Sequence, residues 1–155
     1  TKIYNFYIHP QWDFIGSPTL YLKILFIDYD LGFCIIEMIG EWNDAIHNDV
    51  MFLKREIIDV LIQEGVSKFI LIGENILNFH GSDDCYYEEW MEDIQEEEGY
   101  VVLMNFRDHV VDEMRAHCIH YHLFCGLQYN LDEWRKHKPE VVFNLIDSRL
   151  MKSLH

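Results

Sequence analysis

Apolar residues recur along this chain with two different periods, and the switches between them mark out strands and helices. Leu20 to Tyr29 and Phe33 to Ile39 are rich in β-branched and aromatic residues, and Asp30-Leu31-Gly32 between them leaves room only for an antiparallel reversal. They form a hairpin. After Gly40-Glu41, Ile46, Val50, Leu53, Ile57 and Leu61 return at the four-and-three spacing of one buried helical stripe; Asn43 or Asp44 can cap this helix and Gly65 ends it. Lys68 to Ile72 is an apolar run too short for a helix and reads as a central strand. The turn-and-cap sequence Gly81-Ser82-Asp83-Asp84 then leads into a second helix with Tyr86, Tyr87, Trp90, Met91 and Ile94 on one face, ending near Gly99. Tyr100 to Met104 is a strand of the type buried on both faces. A third helix is predicted from Arg107-Asp108 to about Cys125, with Val110, Met114, Cys118, Tyr121 and Cys125 as its core stripe and Gly126 closing it. Arg135-Lys136-His137-Lys138 and Pro139 precede a last helix with Val142, Leu145, Ile146 and Leu150 on its apolar face, suited to cover a sheet edge or a partner. At the other end, Ile3, Tyr4, Phe6, Tyr7 and Ile8 predict an edge strand, punctuated by His9-Pro10 and Gly16-Ser17-Pro18.

Hairpin, helix, strand, helix, strand, helix is an order in which helices cross between strands, which implies right-handed, parallel connections beyond the hairpin. The predicted fold is therefore α/β, a sandwich on a mixed sheet with an extra N-terminal strand and a C-terminal helix. The strands at 68–72 and 100–104 are expected to be parallel, with helices mainly on one face. A chain of 155 residues fits a single domain spanning 1–155, with a core at 20–129, an N-terminal extension at 1–19 and a C-terminal helical extension at 130–155. At that length about 70% of the unfolded surface is buried.

Charge narrows the partners. The net charge of −15, from 27 acids against 12 Lys and Arg, repels phosphate backbones and anionic lipid surfaces, so neither nucleic acid nor membrane is an expected partner. Apolar runs such as Ile24–Ile27 fall far short of the roughly 20 residues a spanning helix needs, and no charged-then-apolar signal pattern opens the sequence. A cytoplasmic location is expected. Cys34, Cys85, Cys118 and Cys125 contain no Cys-x-x-Cys and have apolar or aromatic neighbours, which predicts reduced core thiols and no disulfide.

With these elements in place the chain resembles the STAS family, the sulfate-transporter and anti-sigma-factor-antagonist domains. The matching residues are Cys34-Ile-Ile-Glu-Met-Ile-Gly-Glu41 leading from the hairpin to the first helix, Lys68 to Ile72 for the central strand, Phe79-His-Gly-Ser-Asp-Asp84 for the loop, then Gly99 to Met104 and Val110 to Phe124. The resemblance covers roughly residues 20–129 and implies a SpoIIAA-like sandwich acting as a non-enzymatic regulatory or protein-interaction module, without a cofactor. The family's Asp-Ser-Ser/Thr-Gly loop falls on Gly81-Ser82-Asp83-Asp84, so the position of the usually phosphorylated hydroxyl is held here by Asp83.

Two constellations compete for function. The first is the loop residues His80, Ser82, Asp83 and Asp84 with the acidic helix behind them, where Glu88, Glu89 and Glu92 belong to a run from 83 to 98 that contains no Lys or Arg. Like charges four apart cost a helix about 0.2–0.5 kcal/mol per pair, so this face predicts a protein partner with a basic surface. The second is His109, Glu113, His117 and His120, which a 100° step places within one quadrant of a helix. Two or three such side chains can hold Zn²⁺, and they carry the alternative reading of a metal-dependent hydrolase. With no Cys or Asp at tight spacing to complete the set, solvent exposure is the expectation there, and no metal is expected. The Asp28-Tyr29-Asp30 triplet resembles the strand-end Asp-x-Asp of haloacid-dehalogenase-type phosphatases. The later strands end in Gly73-Glu74 and Asn105, so the two aspartates read as hairpin-turn residues.

Overall fold

The apolar run beginning at Lys68 is the middle of the protein in the computed structural model, which describes residues 13–154. It opens β4 (Lys68–His80), which has a parallel neighbour on each side, β3 (Phe33–Asn43) and β5 (Tyr100–Met104). β2 (Leu20–Asp28) lies antiparallel to β3, and the two-residue β1 (Asp13–Phe14) lies antiparallel to β2, giving, among the described residues, a five-stranded mixed sheet in the order β1-β2-β3-β4-β5. The parallel pairing predicted for 68–72 and 100–104 holds from Lys68 opposite Tyr100 to Ile72 opposite Met104. At the hairpin, one Asp28 carboxylate oxygen accepts the Asp30 and Leu31 backbone N–H groups at 3.0 Å each, the turn role expected of that aspartate. The edge strand expected at 3–8 lies outside the described residues.

Alternation along β4 sends Phe69 and Leu71 to one face and Ile70 and Ile72 to the other, so both faces need a cover. The first is covered by four helices, α1 (Asp49–Phe52), α2 (Asp59–Gln63), α3 (Cys85–Ile94) and α4 (Asp108–Ala116), which contribute Val50, Leu61, Trp90 and Met114 among others. The second is covered by α5 (Pro139–Leu154), whose Phe143 stacks on Phe33 with ring centroids 3.9 Å apart. The last helix therefore lies across the second face of the sheet, where the sequence had placed it at an edge or on a partner. From the basic cluster ahead of it, Arg135 reaches in to pair with Glu37, a carboxylate only 1% exposed.

Four boundaries differ from expectation, each for a local reason. The first helix starts at Asp49, not at a cap on Asn43 or Asp44: Asn43 ends β3, and Ile46, assigned to the buried stripe, is 79% exposed. Asp44 still caps the helix from a distance, its Oδ1 accepting the Val50 N–H at 2.8 Å. Between α1 and α2 the rod is π-helical over Leu53–Ile58. The wider turn moves the buried register from Ile57 to Ile58 and turns Lys54 inward, its side chain fully buried. β4 continues past Ile72 to His80, so Phe79 and His80 belong to the strand. β3 continues beside it, pairing Trp42 with Phe79 and Asn43 with His80. The third helix stops at Ala116, because Cys118 takes a left-handed conformation (φ 64°) before a short 3₁₀ turn at Ile119–Tyr121. Cys118 and Tyr121 are thereby exposed, and Ile119 and Leu123 fill the core instead. All four cysteines are free thiols, but Cys85 and Cys118 lie on the surface.

Candidate functional site

The long parallel pair β3 and β4 ends with Asn43 opposite His80, and the chain turns there into the loop at 81–84. Outside the carboxyl ends of parallel strands is where open α/β sheets place their sites. The His80 carbonyl accepts both the Asp44 and Ala45 N–H groups at 2.8 and 3.2 Å, which ties the end of β4 to the segment following β3. Gly81 passes so close to His117 that a Cβ there would sit 2.2 Å from the imidazole ring. A side chain at position 81 would have to push that ring aside. Ser82 and Asp83 are exposed and line a cleft of about 290 Å³ with Asp44, Ile46, Asn48 and Tyr86. Asp83 accepts the Cys85 N–H at 3.1 Å, and that bond holds its carboxyl below the usual carboxylate range. Position 83 therefore presents a fixed negative charge at the head of α3.

Beneath the cleft lies a buried polar network. Asp44 accepts from Trp42 Nε1 at 3.1 Å, from the Val50 N–H and from the Tyr87 hydroxyl. Burial pushes its carboxyl up to about 6 against the pull of those bonds, and the nearby Asp49 charge adds to the rise. The Tyr87 hydroxyl is pushed well above its ordinary value by burial and by Asp44. Asp49 is itself buried, with one oxygen on the Asn43 N–H at 2.7 Å and the other without a hydrogen-bond partner among the described residues. The sequence pattern offers Asp44 only as a helix cap and does not single out Asp49. Their role is visible only once β3 is known to extend to Asn43.

The acidic helix is partly neutralised from within. Lys54 Nζ contacts Glu89 at 2.9 Å, Asp93 at 2.8 Å and Asp59, while Arg55 pairs with Asp59 at 3.0 Å and in bidentate fashion with Glu89. Arg55, then Lys54, hold the Glu89 carboxyl down at about 2. Burial opposes the Lys54 charge, but the bonds to Asp59, Asp93 and Glu89 outweigh it and raise the ammonium. Among the described residues, Glu88 and Glu92 have no Lys or Arg partner and are exposed. Of the acidic residues singled out on α3, Glu89 is thus engaged in the fold, while Glu88 and Glu92 face outward.

The four histidine-helix residues do not converge. His109 donates from Nε2 to the Leu77 carbonyl at 2.7 Å, His117 stands 3.9 Å from Glu113, and His120 lies beyond the end of α4 against the Tyr121 ring. His122, which the helical projection did not select, donates to Asp84 at 2.8 Å. The helix break at Cys118 is the cause: it rotates everything after it off the predicted face. His80 is exposed beside Asp112 and Glu113.

No family model matches the chain, and no curated protein matches it in sequence. Among solved structures it is similar to the unphosphorylated anti-sigma factor antagonist SpoIIAA, with a TM-score of 0.56 and 14% identity over 82% of this chain and 96% of that one. The phosphorylated form of the Bacillus cell fate determinant SpoIIAA aligns with a TM-score of 0.48 and 14% identity, over 79% of this chain and 96% of that one. Identity at this level speaks to architecture only. The mixed sheet, its parallel crossovers and the helices between the strands give this chain the fold of the anti-sigma factor antagonist SpoIIAA, the STAS fold its sequence resembles.

Proposed function

We propose that this chain is a non-enzymatic regulatory module that binds another protein through the loop at His80, Ser82, Asp83 and Asp84 and the outward side of α3, chiefly Glu88 and Glu92. The observation that carries the reading is the uneven charge on α3: Lys54 and Arg55 satisfy Glu89 and Asp93, whereas Glu88 and Glu92 are exposed without a Lys or Arg partner among the described residues. Uncompensated exposed acids next to an exposed apolar side chain, Ile46, beside Ser82 suit a partner with a Lys/Arg-rich surface and a small apolar contact. The likeness to an anti-sigma factor antagonist supports a regulatory role of this kind. Asp83, ionised at the loop position where the family resemblance places a regulated hydroxyl, holds the surface in one charged state. No helix among the described residues is long and apolar enough to cross a membrane.

The test is binding of Glu88→Lys/Glu92→Lys to the protein that wild type captures from a native extract, at low and high ionic strength. The double reversal is expected to weaken binding strongly and to flatten its salt dependence. Unchanged affinity would remove this face from the interface.

A further inference from the structure

We propose that Asp84, Glu88 and His122 form a binding site for Zn²⁺, which shares Asp84 and Glu88 with the partner-binding face above but is read out by metal uptake alone. Asp84 and Glu88 stand one helical turn apart at the head of α3, with the Glu88 N–H on the Asp84 carbonyl at 2.9 Å. His122 arrives from the segment after the Cys118 break, its side chain only 14% exposed. One ligand atom from each of the three lies within 4.8 Å of the other two. A zinc ion about 2.0–2.1 Å from each tetrahedral ligand sets those ligands about 3.3 Å apart, and the Asp84–His122 pair already stands at 2.8 Å. Coordination at Nε2 requires the His122 proton to sit on Nδ1, so the ion takes the place of that hydrogen bond, and small side-chain adjustments bring the set around it.

The fold provides its own comparison. Asp59, Glu89 and Asp93 form a second triad of the same size, and Lys54 Nζ occupies its centre as a built-in cation. Asp84 and Glu88 receive no Lys or Arg among the described residues, and their neighbour is an imidazole. Two carboxylates and one imidazole nitrogen suit zinc, whereas Ca²⁺ and Mg²⁺ prefer all-oxygen shells. Three protein ligands leave a fourth position for water or for a side chain supplied by another protein.

The experiment is calorimetric titration of the whole chain with ZnCl₂ and separately with CaCl₂, for wild type, Glu88→Gln, His122→Gln and the control His109→Gln, each checked for folding by circular dichroism. Wild type and His109→Gln should take up one equivalent of zinc and no calcium. Glu88→Gln and His122→Gln should bind zinc at least about tenfold more weakly, since even outer-shell changes cost 10–100-fold. Co²⁺ should give the intense visible absorption of a four-coordinate ion, lost in Glu88→Gln. Glu88 is exposed, so its variant keeps the test valid if His122→Gln fails to fold. Absence of zinc uptake by wild type, or uptake undiminished in Glu88→Gln, overturns the proposal.

Discussion

Replacing Lys54 by methionine isolates what the buried cation contributes. Methionine matches the length of the lysine stem, so the change removes charge without opening a large cavity in the π-helical turn. The ammonium it removes is fully buried, but the three carboxylates around it are 30%, 37% and 41% exposed at Asp59, Glu89 and Asp93. Breaking a fully buried pair costs about 3–5 kcal/mol. Partly exposed carboxylates regain water and are screened, which lowers the figure, and Arg55 still holds Glu89 and Asp59. The expected loss is about 2–3 kcal/mol at neutral pH, read by urea unfolding. The loss should shrink in acid as the carboxylates protonate. It should also shrink when Asp59→Asn, Glu89→Gln and Asp93→Asn are added, because the stranded charges are then gone. A loss below about 0.5 kcal/mol, the range of ordinary surface substitutions, would refute the buried-cation account.

Two further outcomes follow from the site. Asp44 has a folded-state carboxyl raised to about 6 from an ordinary 3.8, so its ionisation opposes folding: stability should fall by up to about 3 kcal/mol as pH rises from about 4 to about 6. That fall should vanish from the pH–stability curve of Asp44→Asn; an unchanged curve would mean that Asp44 is not the group titrating. Gly81→Ala should cost about 1 kcal/mol by pushing the His117 ring aside, and most of the cost should disappear in the Gly81→Ala/His117→Ala pair if the contact is its source.

The strands were legible in the sequence because their side chains are apolar on both faces, a signal independent of any partner: Phe69–Ile72 and Tyr100–Met104 are buried throughout. The stripe on α3 was legible too, since Tyr87, Trp90 and Ile94 are buried at the spacing read from the sequence. Where the backbone departs from ideal geometry, periodicity failed. The π-turn moved Ile58 and Lys54 inward, and the left-handed Cys118 displaced Tyr121 and brought His122 to Asp84. The extension of β4 to His80 depends on a parallel neighbour equally long, a tertiary fact with no local marker. For the candidate site, the loop position was readable from turn chemistry at Gly81–Asp84. The internal neutralisation of Glu89 and Asp93 was not, because Lys54 and Arg55 lie 35 and 34 residues away from Glu89.

The central claim is that the loop and the outward side of α3 are the protein-binding face. It is tested most directly by placing a photo-crosslinking amino acid at Ser82 and, separately, at Asn144, an exposed position of α5 on the opposite face of the sheet. Irradiation in the native host should give a discrete protein adduct from position 82, suppressed by Glu88→Lys/Glu92→Lys, and none from position 144. Adducts from position 144 alone, or a Ser82 adduct indifferent to the charge reversal, would contradict the account.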